Sequence, residues 1–143
     1  MMESFEVKKY LRRPTRLYGD IVVLQEKIEN LRLNMLPRAI SYDKDRVQTS
    51  PQDPMPDFAA KIDELDRLMV KLMSEYYESI GDIQEVIEQI ENEDAKLILA
   101  KRYVGQKKWD TILREVPRSR RSLFNYHRIG LRAAEKILSK KQK

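Results

Sequence analysis

Few side chains in this sequence could carry covalent chemistry. It contains no Cys and a single His, His127. Disulfide scaffolds, zinc fingers, thiolate metal sites and Cys nucleophiles are therefore excluded. A lone His also leaves no economical Ser-His-Asp triad. What the chain does offer is a dense basic run, RSRRSLFNYHR, from Arg118 to Arg128. Arginine presents paired donors to guanine edges and to phosphates, and Asn125 can pair with adenine in the same manner. Arg120, Arg121 and Asn125 are best placed for base edges. Arg118, Arg128 and Lys108 read as phosphate contacts. Ser119, at the start of the run, adds backbone amides and a helix dipole that favour phosphate. No catalytic residue, metal ligand or cofactor site emerges, so the sequence reads as a binding protein rather than an enzyme.

The elements around this run must aim it. KKWDTILREV has helical spacing, with Trp109, Ile112, Leu113 and Val116 inward. Pro117 ends that helix, and Ser119 is a good N-cap for the next. RRSLFNYHRIGLRAAEKIL continues as a long helix, with Leu123, Tyr126, Leu131 and Ala134 inward. Two helices joined by a short turn, the second one basic, is the helix-turn-helix layout. Arg120, Arg121, Phe124, Asn125 and Arg128 fall on the side opposite Leu123 and Tyr126. The spacing makes Trp109 and Tyr126 core residues rather than base-stacking ones. His127 flanks the core, which suits a structural or phosphate role. Phe124 has two readings that the sequence leaves open: an exposed ring touching a thymine methyl, or a buried ring on the preceding helices.

Charge supports a polyanion-binding end. Of the net +5, residues 100–143 supply 14 basic and 3 acidic side chains, whereas residues 57–94 hold 3 basic and 12 acidic. Such asymmetry is the electrostatic footprint of a nucleic-acid protein, although a solvated helix face gives the same count. Acidic pairs such as Asp63-Glu64 sit at solvent positions of a helix and imply no acid-base chemistry. The terminal SKKQK reads as a frayed tail adding nonspecific DNA affinity.

The rest of the chain is helical in pattern. Leu17, Ile21, Leu24, Ile28, Leu31 and Met35 form an unbroken seam of heptad type. Pro14 precedes it, and Pro37 is expected to end it. Residues 38–57, with Pro51, Pro54 and Pro56, read as an extended connector in which Asp43, Asp45 and Arg46 are merely solvated. A second seam runs Ile62, Leu65, Met69, Leu72, Tyr76, Ser79, Ile83, Val86, Ile90. Only Ser79 breaks its apolar rule, and Gly81 is its weak point. The simplest arrangement folds this helix antiparallel on the first; a coiled-coil homodimer is the competing or additional use. A short helix from Asp94 to Val104 follows, with Leu97, Ile98 and Tyr103 inward and Gly105 as its stop. The fold expected is all-α. Its parts are a heptad helix over 1–37, the connector 38–57, a second long helix over 58–91 and a self-contained DNA-binding domain over 92–143.

The stretch YVGQKKWDTILREVPRSRRSLFNYHRIGLRAAEKIL is similar to the promoter-reading C-terminal domain of bacterial sigma factors, aligned without gaps from Trp109 through Leu131. The whole chain resembles a family of small phage and prophage proteins of Gram-positive bacteria, grouped near the ArpU-like and RinA-like late transcriptional regulators. YLRRPTRLYGDI, the connector from MLPRA to SPQDPM, LILAKRYV, KKWDTIL and SRRSLFNYH carry that resemblance. Two positions depart from the family pattern. Lys108 stands where a capping Thr or Ser is usual, and Pro117 where the turn often has Gly.

The resemblance implies a sequence-specific, double-stranded DNA-binding transcriptional regulator of phage late genes, with bacterial RNA polymerase as a further partner. A packaging adaptor resembling a small terminase subunit is one alternative, and a protein-interaction module with a basic tail is another. No apolar run reaches membrane-span length, and the start MMESFEVKKY is too charged for a signal peptide. The expected location is the cytoplasm of a bacterial host, without a membrane partner.

Overall fold

The structure, a computed structural model, describes residues 4–44 and 55–141. The elements are α1 (Ser4–Leu11), α2 (Arg13–Lys44), α3 (Met55–Glu88), α4 (Glu93–Leu99), α5 (Trp109–Glu115) and α6 (Arg120–Lys141); α4 continues as a π-helical turn, Ala100–Val104. The fold is all-α, with no strand among the described residues. No described helix is long and apolar enough to cross a membrane.

The chain divides into two compact units, and the division cuts through both long helices. One unit is Leu17–Glu75; the other joins Met1–Arg16 to Tyr76–Lys143. In the first, Leu24, Ile28 and Ile62 are buried, with Leu31, Met35, Leu65, Met69 and Leu72 packed around them. Seam residues from α2 thus meet seam residues from α3 within one chain. Arg32 pairs with Asp66 at 3.7 Å. These two residues lie almost equally far from the connector, as an antiparallel hairpin requires.

Two expected boundaries move. Pro37 does not end the first helix, which runs on to Lys44. A proline in a helix interior deletes one backbone hydrogen bond, a cost of about 3 kcal/mol that a long helix can absorb. The connector shrinks accordingly: residues 38–44 are helical, and α3 opens at Met55, with Pro56 and Asp57 in its first turn. Pro51, Pro54, Asp45, Arg46 and the last two residues of the chain lie outside the described residues.

The second unit holds the larger core. Ile83, Val86, Ile87 and Ile90 of α3 and its end meet Ala95, Leu99 and Tyr103 of the α4 segment and Leu131, Ala134 and Leu138 of α6. Ser79, the one polar member of the second seam, is buried, and its hydroxyl donates to the Tyr76 carbonyl at 2.7 Å. That bond satisfies the group and lets it stay in the seam. The last turn of α3 tightens through Gln89 N–H to Val86 O and Ile90 N–H to Ile87 O. Asn92 then caps α4, its Oδ1 accepting from Ala95 N–H at 3.0 Å. Glu93 and Asp94 in the first turn of α4 complement the helix dipole. Leu97 departs from its expected inward place: it is 43% exposed, while Ile98 and Tyr103 are buried. Ala95, Ile98 and Leu99 form the buried face of α4, which leaves Leu97 on the opposite side of the helix. Gly105 has an ordinary helical φ, and the left-handed residue is Gln106 at φ 54.

Residues 92–143, expected to be self-contained, share their core with segments outside that range. Val7 and Leu11 of α1 are fully buried in the same core as Leu131, Ala134 and Leu138. No periodic signal marks α1, which is a single short stretch. Pro14 explains how α1 joins α2. It cannot donate to the carbonyl four residues back, at Tyr10. The Arg13 Nε–H takes that place, donating to Tyr10 O at 3.2 Å. The Arg13 guanidinium also lies 4.0 Å from the Tyr10 ring centre and reaches Asp82 at 3.2 Å. Leu11→Ala should therefore lower the stability of the C-terminal helices by about 2–5 kcal/mol, the cost of a cavity in a closed core. Urea denaturation followed by Trp109 fluorescence reads this directly. An unchanged midpoint would mean that α1 is dispensable.

Two glycines in helices have opposite roles. A Cβ on Gly130 would sit 2.8 Å from Leu99 Cγ, whereas one on Gly81 meets nothing within 4 Å. Leu99 is fully buried and has nowhere to move. Gly130→Ala should cost about 1–3 kcal/mol through overpacking. Gly81→Ala should stabilise by up to about 1 kcal/mol through helix propensity. Paired thermal melts would show opposite shifts.

Candidate nucleic-acid interface

α5 and α6 are joined by four residues, Val116 to Ser119. Ile98, Ile112, Val116 and Leu123 close a small core between them, with Trp109, Leu113 and Tyr126 at its edge. The turn accommodates Pro117 without positive φ. Arg118 N–H donates to Val116 O at 2.8 Å, closing a three-residue turn centred on the proline. Ser119 caps α6 as expected, with its Oγ accepting from Ser122 N–H at 3.1 Å and its carbonyl from Leu123 N–H at 3.0 Å. Lys108 occupies the N-cap of α5 in extended backbone and makes no capping bond.

The expected contact residues are brought together along the start of α6. Arg120, Arg121, Phe124, Asn125 and Arg128 are all exposed, while Leu123 between them is buried. Arg121, Ser122, Phe124, Asn125 and Arg128 line one open depression of about 580 Å³. Among the described residues, Arg120, Arg121 and Lys108 have no ion-pair partner. Arg128 donates to Asn125 Oδ1 at 2.7 Å, which orients the amide and leaves its two N–H donors outward. Arg118 is not free: it pairs with Asp94 at 3.4 Å. An exposed pair of this kind is worth less than about 1 kcal/mol, so a phosphate can displace it. Lys101 and Lys107, by contrast, both hold Glu115, at 2.7 and 2.6 Å. They pull its carboxyl down from 4.5 to about 2 through hydrogen bonds first and charge second.

Phe124 is partly packed and partly exposed. Its ring centre is 4.8 Å from that of Trp109, yet the residue remains 40% exposed. Beneath it lies a stack that hydrophobic spacing does not reveal. Trp109 meets the edge of His127 at 4.9 Å, and Arg102 lies 5.1 Å from the Trp109 ring. Tyr103 and His127 stack and share a hydrogen bond of 2.7 Å. The π-helical turn is what delivers Arg102 and Tyr103 to these partners, and a local change of helical pitch leaves little trace in composition. His127 is thus packed and hydrogen-bonded within the fold. Burial first, then the charges of Lys8, Arg102 and Arg12, push its pKa from 6.5 down to about 4. Burial likewise raises the Tyr103 phenol, against the opposing charges of Arg12 and Arg102. Among the described residues, no group of three or more His, Cys, Asp or Glu could hold a metal ion. No protein-family model, curated protein or solved structure matches the chain.

The two shifted groups give an acid response with a defined sign. The unfolded chain protonates His127 near 6.5 and the folded chain only near 4. Acidification through that window therefore favours unfolding. Glu115 adds a second loss as pH falls from 4.5 towards 2. Urea midpoints measured across pH should decline in both windows. In His127→Phe the upper decline should flatten while the lower one persists.

Proposed function

We propose that this chain is a sequence-specific, double-stranded DNA-binding transcriptional regulator of phage type, acting on late genes, with α5 and α6 as a sigma-like helix-turn-helix. The observation that carries the reading is the sorting of side chains on α6. Arg120, Arg121, Phe124, Asn125 and Arg128 stand exposed on its first turns, and Leu123 is locked against Ile112 behind them. A helix entering the major groove needs this division: one face anchored, the other carrying exposed donors, of which those of Arg120 and Arg121 have no ion-pair partner among the described residues. Arg120, Arg121 and Asn125 take base edges. Lys108, Arg118 and Arg128 take phosphates, with Ser119 at the helix start. Phe124, half packed and half outward, reaches a thymine methyl.

The two-helix unit would hold a second copy of the chain or bacterial RNA polymerase. Its two seams are occupied by each other, so a homodimer would use outer residues such as Leu33, Val70 and Met73, which are exposed. Mass measurement in solution separates the readings: a monomer or dimer accords with a regulator, and a ring accords with a packaging adaptor.

Arg120→Ala or Arg121→Ala should weaken binding to the footprinted site by about 1–3 kcal/mol and relax selectivity at one base position, with circular dichroism unchanged. Gel-shift titration checks this. Normal selective binding by the double variant would remove α6 as the reading element.

A further inference from the structure

The C-terminal third is the more basic part of the chain, but a second cationic surface lies at the other end. From Val7 to Gly19 the sequence holds five cations and no acid. Arg13 is committed to Asp82 and Tyr10. Lys8, Lys9, Arg12 and Arg16 are exposed, and among the described residues none has an ion-pair partner. Together with Thr15 they line a depression of about 390 Å³ that has no acidic residue in its wall. The break at Arg12 does not scatter them. Arg12 N–H donates to Lys8 O at 2.9 Å and Arg16 N–H to Arg12 O at 3.1 Å, so residues 8, 12 and 16 keep helical spacing in one row.

Unpaired like charges in a row repel one another, and the arrangement gains only when an anion meets it. Its position relates it to α6. α1 packs on α6, with Val7 and Leu11 against Leu131, Ala134 and Leu138. Lys8 and Arg12 lie close enough to His127 for their charges to act on its ring, and His127 immediately precedes Arg128. Both surfaces belong to the same compact unit.

We propose that Lys8, Lys9, Arg12 and Arg16 form a phosphate-backbone clamp on the duplex whose bases α6 reads, extending the interface beyond the helix-turn-helix. The inference rests on the DNA-binding reading above. The row carries no amide or aromatic reader, only point charges and the Thr15 hydroxyl. It therefore adds affinity and salt dependence without sequence preference.

The test uses the full chain with all four residues changed to Gln (K8Q, K9Q, R12Q and R16Q). The probes are a duplex carrying the footprinted site and a random-sequence duplex of equal length. All four side chains are exposed, so folding should persist, and circular dichroism verifies it. The clamp predicts weaker binding to both duplexes in equal proportion. The slope of log affinity against log salt should fall by roughly 2–4 units, about 0.9 for each phosphate that is no longer neutralised. A companion carrying R12K and R16K should bind as the unaltered chain does, since a phosphate accepts either cation. Unchanged affinity and slope in the Gln variant, with Arg120→Ala still losing selectivity, would overturn the clamp and leave the reading of α6 standing. Failure of the unaltered chain to bind duplex DNA at low salt would overturn both.

Discussion

The approach of Leu99 to Gly130 governs the arrangement of the C-terminal helices. Leu99 Cγ lies where a Cβ on residue 130 would point, so α4 and α6 come closer than two helices with ordinary side chains could. That closeness lets a thin layer exclude water. Leu99, Leu131, Ala134 and Leu138 are buried together, and Ile83, Val86 and Ile87 complete the layer from α3. It also sets the rotation of α6 about its axis. With Gly130, Leu131 and Ala134 turned inward, helical periodicity obliges Arg121, Asn125 and Arg128 to face out.

The exposed face of α6 owes its chemistry to a supporting set of residues behind it. Glu115 draws in Lys101 and Lys107, so two nearby cations are committed to the fold. The stack of Tyr103, His127 and Trp109 holds the first turns of α6, and Phe124 rests on Trp109. The neutral imidazole suits this place. Lys8, Arg12 and Arg102 all act against its protonation, and burial acts more strongly still. Charge thus concentrates in arginines that the core does not need.

Much of this is legible in the amino-acid order. Heptad spacing locates both seams, because burying one stripe of a helix imposes a repeat that any sequence must display. The turn between α5 and α6 is legible for a local reason: Pro117 cannot continue a helix, and Ser119 can start one. The candidate contact face follows from the same periodicity. The end of the first helix is not legible in this way, because Pro37 lowers helix stability without abolishing it. The exposure of Leu97 is hidden too, because α4 is only seven residues long and tertiary packing chooses Ala95, Ile98 and Leu99 as its buried face.

What the sequence by itself determined is the set of stripes: which residues of each helix want to leave water, and where the basic run lies. Those follow from contacts within one or two turns. Only the tertiary structure decided which stripes meet. α1 joins the C-terminal core through Val7 and Leu11, far in the chain from their partners on α3 and α6. The boundary between units falls within α2 and α3 rather than at their ends. It also decided which cations remain free, since Arg13 finds an acid distant in the chain and Lys101 and Lys107 converge on Glu115, while among the described residues Arg120 and Arg121 find none. Pairing across the fold depends on distances that a linear order does not contain.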